Sequence, residues 1–156
     1  MRKILLAVVL LSVVIAGCDI KRNAIGEPGL IIVVADSSEW NAVGDTIQSV
    51  IAPIIPTPRP EGWYELRVVP PGQFSNYMDY KNILVMSLLR ENSASVNLLD
   101  RMLSDDVLQS MKEGNQSVAL KEDPWRAQQQ LVIMAAPSAP EMLELVENRG
   151  REIRGY

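Results

Sequence analysis

The sequence predicts an α/β fold, with an α+β arrangement as the alternative. We expect a two-layer sandwich in which a mostly buried sheet carries helices mainly on one face. Three observations predict it. Residues 30–35 form a continuous, largely β-branched run, which is typical of a strand buried on both faces. Apolar residues recur at three- and four-residue spacing in residues 40–51, which is typical of a helix. Strand-like and helix-like segments then alternate to the end of the chain, and this alternation favours the α/β class.

The connection after the first helix is rich in proline. Residues 53–62 contain Pro53, Pro56, Pro58 and Pro60, which rule out a helix or a central strand and predict a surface connection. Residues 63–69 alternate apolar and polar side chains and predict the second strand. A short helical turn around Phe74 precedes the third strand, which is predicted at residues 82–89.

The next segment is amphipathic. Apolar residues recur every fourth position in residues 96–113 and predict a helix, with a break at Ser104 as an alternative. Gly114 follows at the position of a left-handed C-cap.

Two strands and a helix complete the domain. Residues 117–120 predict a weak strand and residues 128–135 a strong one. Ser138 or Ala139 opens the last helix, with Pro140 in its first turn.

The amino terminus has the pattern of an export signal. Arg2 and Lys3 precede an apolar run at residues 4–15, which is shorter than the roughly 20 residues of a membrane-spanning helix. The run ends in Ile-Ala-Gly17-Cys18, which resembles the lipobox of bacterial lipoproteins. In such signals the chain is cleaved between Gly17 and Cys18, and the cysteine carries lipid. The resemblance implies acylation of Cys18.

These features give the expected organisation of the chain. Residues 1–17 are a lipoprotein signal peptide, residues 18–29 the lipidated cysteine and a tether, and residues 30–156 a single α/β domain. The expected location is the envelope of a Gram-negative cell, at the inner or outer membrane, facing the periplasm.

Composition excludes several classes of function. The net charge of −4 argues against nucleic acid as a partner, because phosphate binding draws its affinity from clustered cations. The chain has no histidine, and its single cysteine is assigned to lipid, so triads with histidine and zinc sites of the usual kind are ruled out. We expect no cofactor and no metal ion.

The best candidate for a ligand site is Asp36 with Ser37 and Ser38. These residues follow the first strand and precede a helix, where anionic ligands bind in open α/β sheets. The alternative is ordinary capping, in which Ser37 or Ser38 is the N-cap and Glu39 lies in the first turn.

The candidate protein contacts are Trp125, Arg126 and Pro58. Tryptophan and arginine are enriched in interface hot spots, and the proline-rich segment resembles ligands of aromatic grooves. The alternatives are that Trp125 folds onto the core and that the proline segment is a rigid spacer.

Two further clusters of polar residues are explained without a functional site. Asp105 and Asp106 lack the spacing of a calcium loop and fit helix capping after Ser104. Lys81 lies near two tyrosines and an aspartate, a combination that arises often by chance, so no catalytic residue is assigned.

Several blocks together resemble one family, the envelope lipoproteins known as domain of unknown function 4837. The blocks that carry the resemblance are Gly26-Glu-Pro-Gly-Leu-Ile-Ile-Val-Val34, Trp40 with Val43-Gly44-Asp45, the proline-rich stretch, Pro70-Pro-Gly-Gln-Phe74, Lys81-Asn-Ile-Leu-Val85 and Asp123-Pro-Trp-Arg-Ala-Gln128. The resemblance covers nearly all of the chain after Cys18. It implies an envelope lipoprotein and brings no activity or catalytic residue, and larger members imply that this chain is short or truncated.

The sequence therefore predicts a non-catalytic, membrane-anchored lipoprotein with a role in protein interaction or assembly. Its partners are membrane lipid, through acylated Cys18, and an envelope protein. The alternative is binding of a small ligand or glycan in the periplasm, and the third is a hydrolase with a site that lacks histidine.

Overall fold

The computed structural model describes residues 22–26, 29–51 and 65–153. The predictions for the signal peptide, Cys18 and the proline-rich segment with Pro58 lie outside these residues. The described helices include none long and apolar enough to cross a membrane.

Within the described residues, five strands form one mixed sheet. The strands are β1 (Leu30–Val34), β2 (Glu65–Val69), β3 (Asn82–Ser87), β4 (Val118–Glu122) and β5 (Gln130–Ala135). Their order across the sheet is β2-β1-β3-β5-β4. Neighbours are parallel except at β4, which runs antiparallel to β5. The α/β class predicted from the sequence is confirmed.

Helices connect these strands. The described α-helices are α1 (Ser37–Ile51), α2 (Ala94–Met102), α3 (Asp105–Lys112) and α4 (Ala139–Ile153), with a 3-10 helix at Pro71–Asn76. The single helix predicted for residues 96–113 is two helices, and the alternative of a break at Ser104 is confirmed, because α2 ends before it and α3 begins after it. Gly114 has a φ of 75°, as its predicted C-cap role requires. Ser138 accepts from the Glu141 N–H at 3.5 Å and opens α4.

The layering differs from the expectation that helices pack mainly on one face. Ile31 and Val33 of β1 contribute to one core with residues of α1 and α4. Ile32 and Val34 contribute to a second core with residues of α2, α3 and the 3-10 helix. Since successive side chains of a strand point to opposite faces, helices cover both sides of the sheet. The two layers expected from the sequence are therefore corrected to helices, sheet and helices, because helical periodicity does not tell which face of a sheet a helix covers.

A short amino-terminal segment is docked on the body. The Ala24 N–H donates to Ala127 O at 2.9 Å, and the Ile25 N–H donates to Asp79 O at 2.8 Å. The side chain of Ala24 is buried. These contacts lie at the amino ends of β3 and β5, opposite the ends from which α1 and α2 start. Residues 22–26 fall in the segment predicted as a tether, so a tether between Cys18 and the body ends at Arg22 or earlier.

Candidate functional site

The carboxyl ends of β1 and β3 form the place where this fold would hold a ligand. These strands are parallel neighbours at the centre of the sheet. From β1 the chain moves to β2 on one side, and from β3 it moves to β4 and β5 on the other. Such a reversal creates a crevice outside the strand ends, and ligands of open α/β sheets bind there. Asp36, Ser37 and Ser38 stand at this crevice, Asp36 half-buried and both serines exposed.

The side chain of Glu39 is buried at the carboxyl ends of β1 and β3. Its exposed fraction is 1%. Oε1 accepts the Leu88 N–H at 3.0 Å and the Ser95 hydroxyl at 2.8 Å, and Oε2 accepts the Asp36 N–H at 3.2 Å. A buried carboxyl group needs such partners, since burial without them is costly. Glu39 therefore joins the start of α1 to the end of β3 and the start of α2.

Three serine hydroxyls extend this network. Ser95 Oγ lies 3.1 Å from Ser87 Oγ and 3.0 Å from Ser93 Oγ. Because Ser95 donates its single hydroxyl hydrogen to Glu39, it accepts hydrogen bonds from the hydroxyls of Ser87 and Ser93. Ser87 in turn accepts the Leu89 N–H, and Ser93 accepts the Val96 N–H as the N-cap of α2. Each serine proton thus has one acceptor.

The turn held by this network has unusual backbone geometry. Leu89 and Asn92 have φ values of 50° and 61°, in the left-handed region that bulky residues rarely adopt. Strained residues of this kind persist where the surroundings determine them strongly. Here the Ser87 hydroxyl accepts the Leu89 N–H and the Ser93 N–H donates to Arg90 O. These hydrogen bonds stabilise the β3–α2 turn in the observed conformation.

The first turn of α1 is capped differently from the expectation. The helix begins at Ser37, and the Trp40 N–H donates to Asp36 O at 2.8 Å, so Asp36 is the N-cap. Glu39, three residues later, accepts the Asp36 N–H, which is the reciprocal half of a capping box. The prediction that Ser37 or Ser38 is the N-cap is wrong. The structure shows no functional role for the two exposed serines or for Asp36, and their ligand binding stays a prediction.

Trp125 and Arg126 lie in the loop before β5 and contact their own domain. Trp125 is half-buried, and its ring meets Phe74 edge to face at 5.6 Å. Arg126 forms an ion pair with Asp79, with Nε 2.9 Å from Oδ1. The hydrogen bond that Arg126 donates to the Asp79 carboxylate raises the pKa of the Arg126 guanidinium above its usual value. Both side chains therefore fix the loop, and an interaction with a partner stays a prediction for them.

A buried amide organises the same loop. Gln129 has an exposed fraction of 1%. Its Nε2 donates to Met78 O and Tyr80 O, both at 2.7 Å. Its Oε1 accepts the N–H groups of Trp125 and Arg126, both at 3.2 Å. All hydrogen-bonding capacity of the amide is used, which indicates a structural role.

A groove lies at the far edge of the sheet. Its volume is about 650 Å³ and it borders β4, the start of α3 and Arg149 of α4. Leu120 and Lys121 of β4 line it, and the Lys121 Nζ donates to Met102 O at 2.7 Å. This space lies away from the crevice at Asp36.

The acidic residues do not converge into a metal site in the part of the chain that the structure describes. Asp105 and Asp106 are exposed in the first turn of α3, where negative charge complements the helix dipole. Lys81 donates its backbone N–H to Ile25 O, and its neighbour Asp79 pairs with Arg126. The position of Asp105 and Asp106 after the N-cap Ser104 fits the capping interpretation, although the Ser104 hydroxyl makes no cap hydrogen bond.

Comparison with protein families gives one match. Residues 24–156 match the family described as Domain of unknown function (DUF8532). The chain belongs to this family. The resemblance to domain of unknown function 4837 is therefore wrong, since the match is to a different family. Short blocks such as Pro-Pro-Gly and Asp-Pro-Trp are too common to separate two families by themselves. No curated protein and no solved structure matches the chain significantly.

The DUF8532 match begins at the docked segment and spans every strand and helix of the described fold. Sequence reasoning placed Glu39 in the first turn of a helix but missed the network that Glu39, Ser87 and Ser95 form at the carboxyl ends of β1 and β3. One signal was present: Asp36 and Glu39 have the spacing of a capping box. The serines carry no such signal, because only the turn after β3 brings Ser87 and Ser95 together.

Proposed function

We propose that this chain is a lipid-anchored protein of the bacterial cell envelope whose α/β body makes protein contacts rather than performing catalysis. The amino-terminal sequence supports the proposed lipid anchor, because a short segment of two basic residues and an apolar run ends in Gly17 and Cys18. Acyl chains contribute roughly 0.8 kcal/mol for each buried methylene, and more than one chain is needed for stable attachment. Lipid on Cys18 would hold the body at a membrane surface.

The geometry of Glu39 supports a scaffold rather than a receptor for small anions. In many sheets of this kind the crevice is open and its N–H groups bind the ligand. In this chain the N–H groups of Asp36 and Leu88 already donate to Glu39. The protein's own carboxyl group thus takes the place of an anionic ligand. An interaction role therefore fits the body better than capture of a small ligand or glycan at Asp36.

Lipid labelling tests the anchor. Cells expressing the full chain are fed a fatty acid that carries an alkyne, and the protein is isolated and probed for label. We expect labelling of the parent and loss of label with loss of Gly17-Cys18 cleavage in Cys18→Ala. The matched control is Ser12→Ala, which keeps the apolar run and the cysteine and should label like the parent. Equal labelling of Cys18→Ala and parent would contradict lipidation of Cys18.

Crosslinking in cells tests the contact role. The full chain and its Cys18→Ala form are crosslinked in parallel, and the adducts are identified by mass spectrometry. A recurrent protein adduct that requires Cys18 supports an envelope role. If no protein adduct recurs while the anchor is labelled, the anchor stands and the contact role is wrong.

A further inference from the structure

The edge strand β4 presents hydrogen-bonding groups to the groove. The Ala135 N–H donates to Ser117 O at 2.9 Å, and the Asp123 N–H donates to Gln129 O at 2.8 Å. In an antiparallel pair such bonds recur at every second residue. The backbone groups of Val118, Leu120 and Glu122 consequently point away from β5, and Val118 O accepts a hydrogen bond from Gln116 Nε2 at 2.9 Å. The centre of this outward edge is Leu120.

The side chains beside this edge are poorly protected. Leu120 is 51% exposed, so the centre of the outward edge carries an apolar side chain that is open to solvent. The groove beside the strand has a volume of about 650 Å³. It is bordered by Val107 of α3 on one face and by Arg149 of α4 on the other. An added strand would find room between these helices.

We infer that β4 pairs antiparallel with β4 of a second copy of this chain, about a twofold axis at Leu120, to make one continuous sheet through two molecules. This register overlaps all five residues of the strand. It places Leu120 beside Leu120 of the partner copy and satisfies the outward backbone groups of both strands.

The charges of β4 fit this register. Val118 stands opposite Glu122 of the second copy, and Ala119 stands opposite Lys121, so like charges do not face each other. A register centred on Lys121 or on Glu122 would bring two like charges together. The register centred on Leu120 therefore avoids the like-charge repulsion of the registers centred on Lys121 or on Glu122.

Arg149 provides electrostatic complementarity across the interface. Val118 and Arg149 line the same groove. Glu122 of the second copy, opposite Val118, arrives on the same face of the sheet, because Val118, Leu120 and Glu122 alternate with Ala119 and Lys121. Each copy thus offers one carboxylate to the arginine of the other. The inference depends on the β4 edge and on Arg149 of α4, and it does not require lipid on Cys18.

The oligomeric state of the full chain tests this inference. The protein is purified in mild detergent and its mass is measured by sedimentation velocity across the micromolar range. We expect a concentration-dependent dimer, with a dissociation constant raised about tenfold or more in Leu120→Lys. The matched control is Val68→Lys on the opposite edge strand, where Val68 is 37% exposed, and it should dimerise like the parent. Thermal melts of both variants establish that they fold.

Charge reversal tests the register. Glu122→Arg and Arg149→Glu should each weaken the dimer, and the double variant should recover most of the loss, because the exchanged charges attract again. Dimerisation of Cys18→Ala should equal that of the parent, which separates this inference from the proposed anchor. A monomeric parent, equal effects of Leu120→Lys and Val68→Lys, or additive losses in the charge-reversed pair would overturn the inference. A photo-crosslinker at position 120 that captures another protein in place of a second copy would also overturn it.

Discussion

At the scale of single residues, buried polar side chains decide how the elements of this domain are joined. Glu39 has three hydrogen-bond donors from three segments of the chain. Gln129 has four partners that connect the loop before β5 to residues around Tyr80. A buried polar atom that loses a partner costs about 1 to 3 kcal/mol, more than a typical hydrogen bond contributes. We therefore expect these two side chains to define the loop conformations as well as stabilise the fold.

Glu39→Gln should lower the free energy of unfolding by about 1 to 3 kcal/mol, because an NH₂ group then faces a donor at one of the two oxygen positions. Urea unfolding of both proteins measures this loss. Glu141→Gln is the matched control, since Glu141 occupies the same capping position in α4 but is exposed to solvent. Equal losses in the two variants would show that the buried network adds nothing beyond helix capping.

At the scale of elements, α1 combines its cap with a close contact inside the helix. An ideal Cβ at Gly44 would lie 2.5 Å from Cε2 of Trp40, one turn earlier. The Trp40 ring is half-buried and packs on the core shared by α1 and α4. Glycine in a helix interior costs about 1 kcal/mol relative to alanine. The absence of a side chain at Gly44 therefore has a packing reason, because it leaves room for the indole.

Gly44→Ala should destabilise the parent protein, because the new methyl group displaces the Trp40 ring from the core. In a Trp40→Ala background the same change should stabilise by about 0.5 to 1 kcal/mol, the usual helix preference for alanine. Thermal and urea unfolding of the four proteins in this cycle give both values. If Gly44→Ala changed the free energy of unfolding in the same direction in both backgrounds, the contact between Gly44 and Trp40 would be contradicted.

At the scale of the whole molecule, the sheet lies between two hydrophobic cores and contributes side chains to both. Ile133 of β5 is buried in the core under α2 and α3, and Met134, its neighbour, is buried in the core under α1 and α4. The central strands therefore cannot separate from one layer of helices without disturbing the other. We expect the described body to unfold as one cooperative unit.

Ile133→Ala and Met134→Ala should each lower the free energy of unfolding by about 2 to 5 kcal/mol, because each removes fully buried apolar atoms. Unfolding followed by tryptophan fluorescence and by far-ultraviolet circular dichroism should give coincident transitions. Val68→Ala, on the exposed edge strand, should lose less than about 1 kcal/mol. A small loss in Ile133→Ala would mean that one face of the sheet is not covered by helices.

Local sequence signals determined most of the elements and their ends. The apolar run before Asp36 predicted β1, and Gly114 marked a C-cap. The four-residue periodicity from Leu99 to Met111 predicted a helix, with a break at Ser104 as the alternative, and the structure has that break. These signals succeed because they depend on backbone preferences and on periodicity over a few residues. The amino-terminal pattern ending in Cys18 is also a local sequence signal, and the proposed lipid anchor rests on it.

Only the tertiary structure decided which face each helix covers, how the strands are ordered and what fills the crevice. Glu39 and Ser95 are far apart in sequence, and their hydrogen bond exists because β1 and β3 are neighbours in the sheet. The outward edge of β4 likewise follows from its position at the end of the strand order. Sequence patterns report that a side chain is buried or exposed, whereas its partners are set by packing between distant segments. The physical reason is that the periodicity of a strand or helix carries no information about which other element it meets.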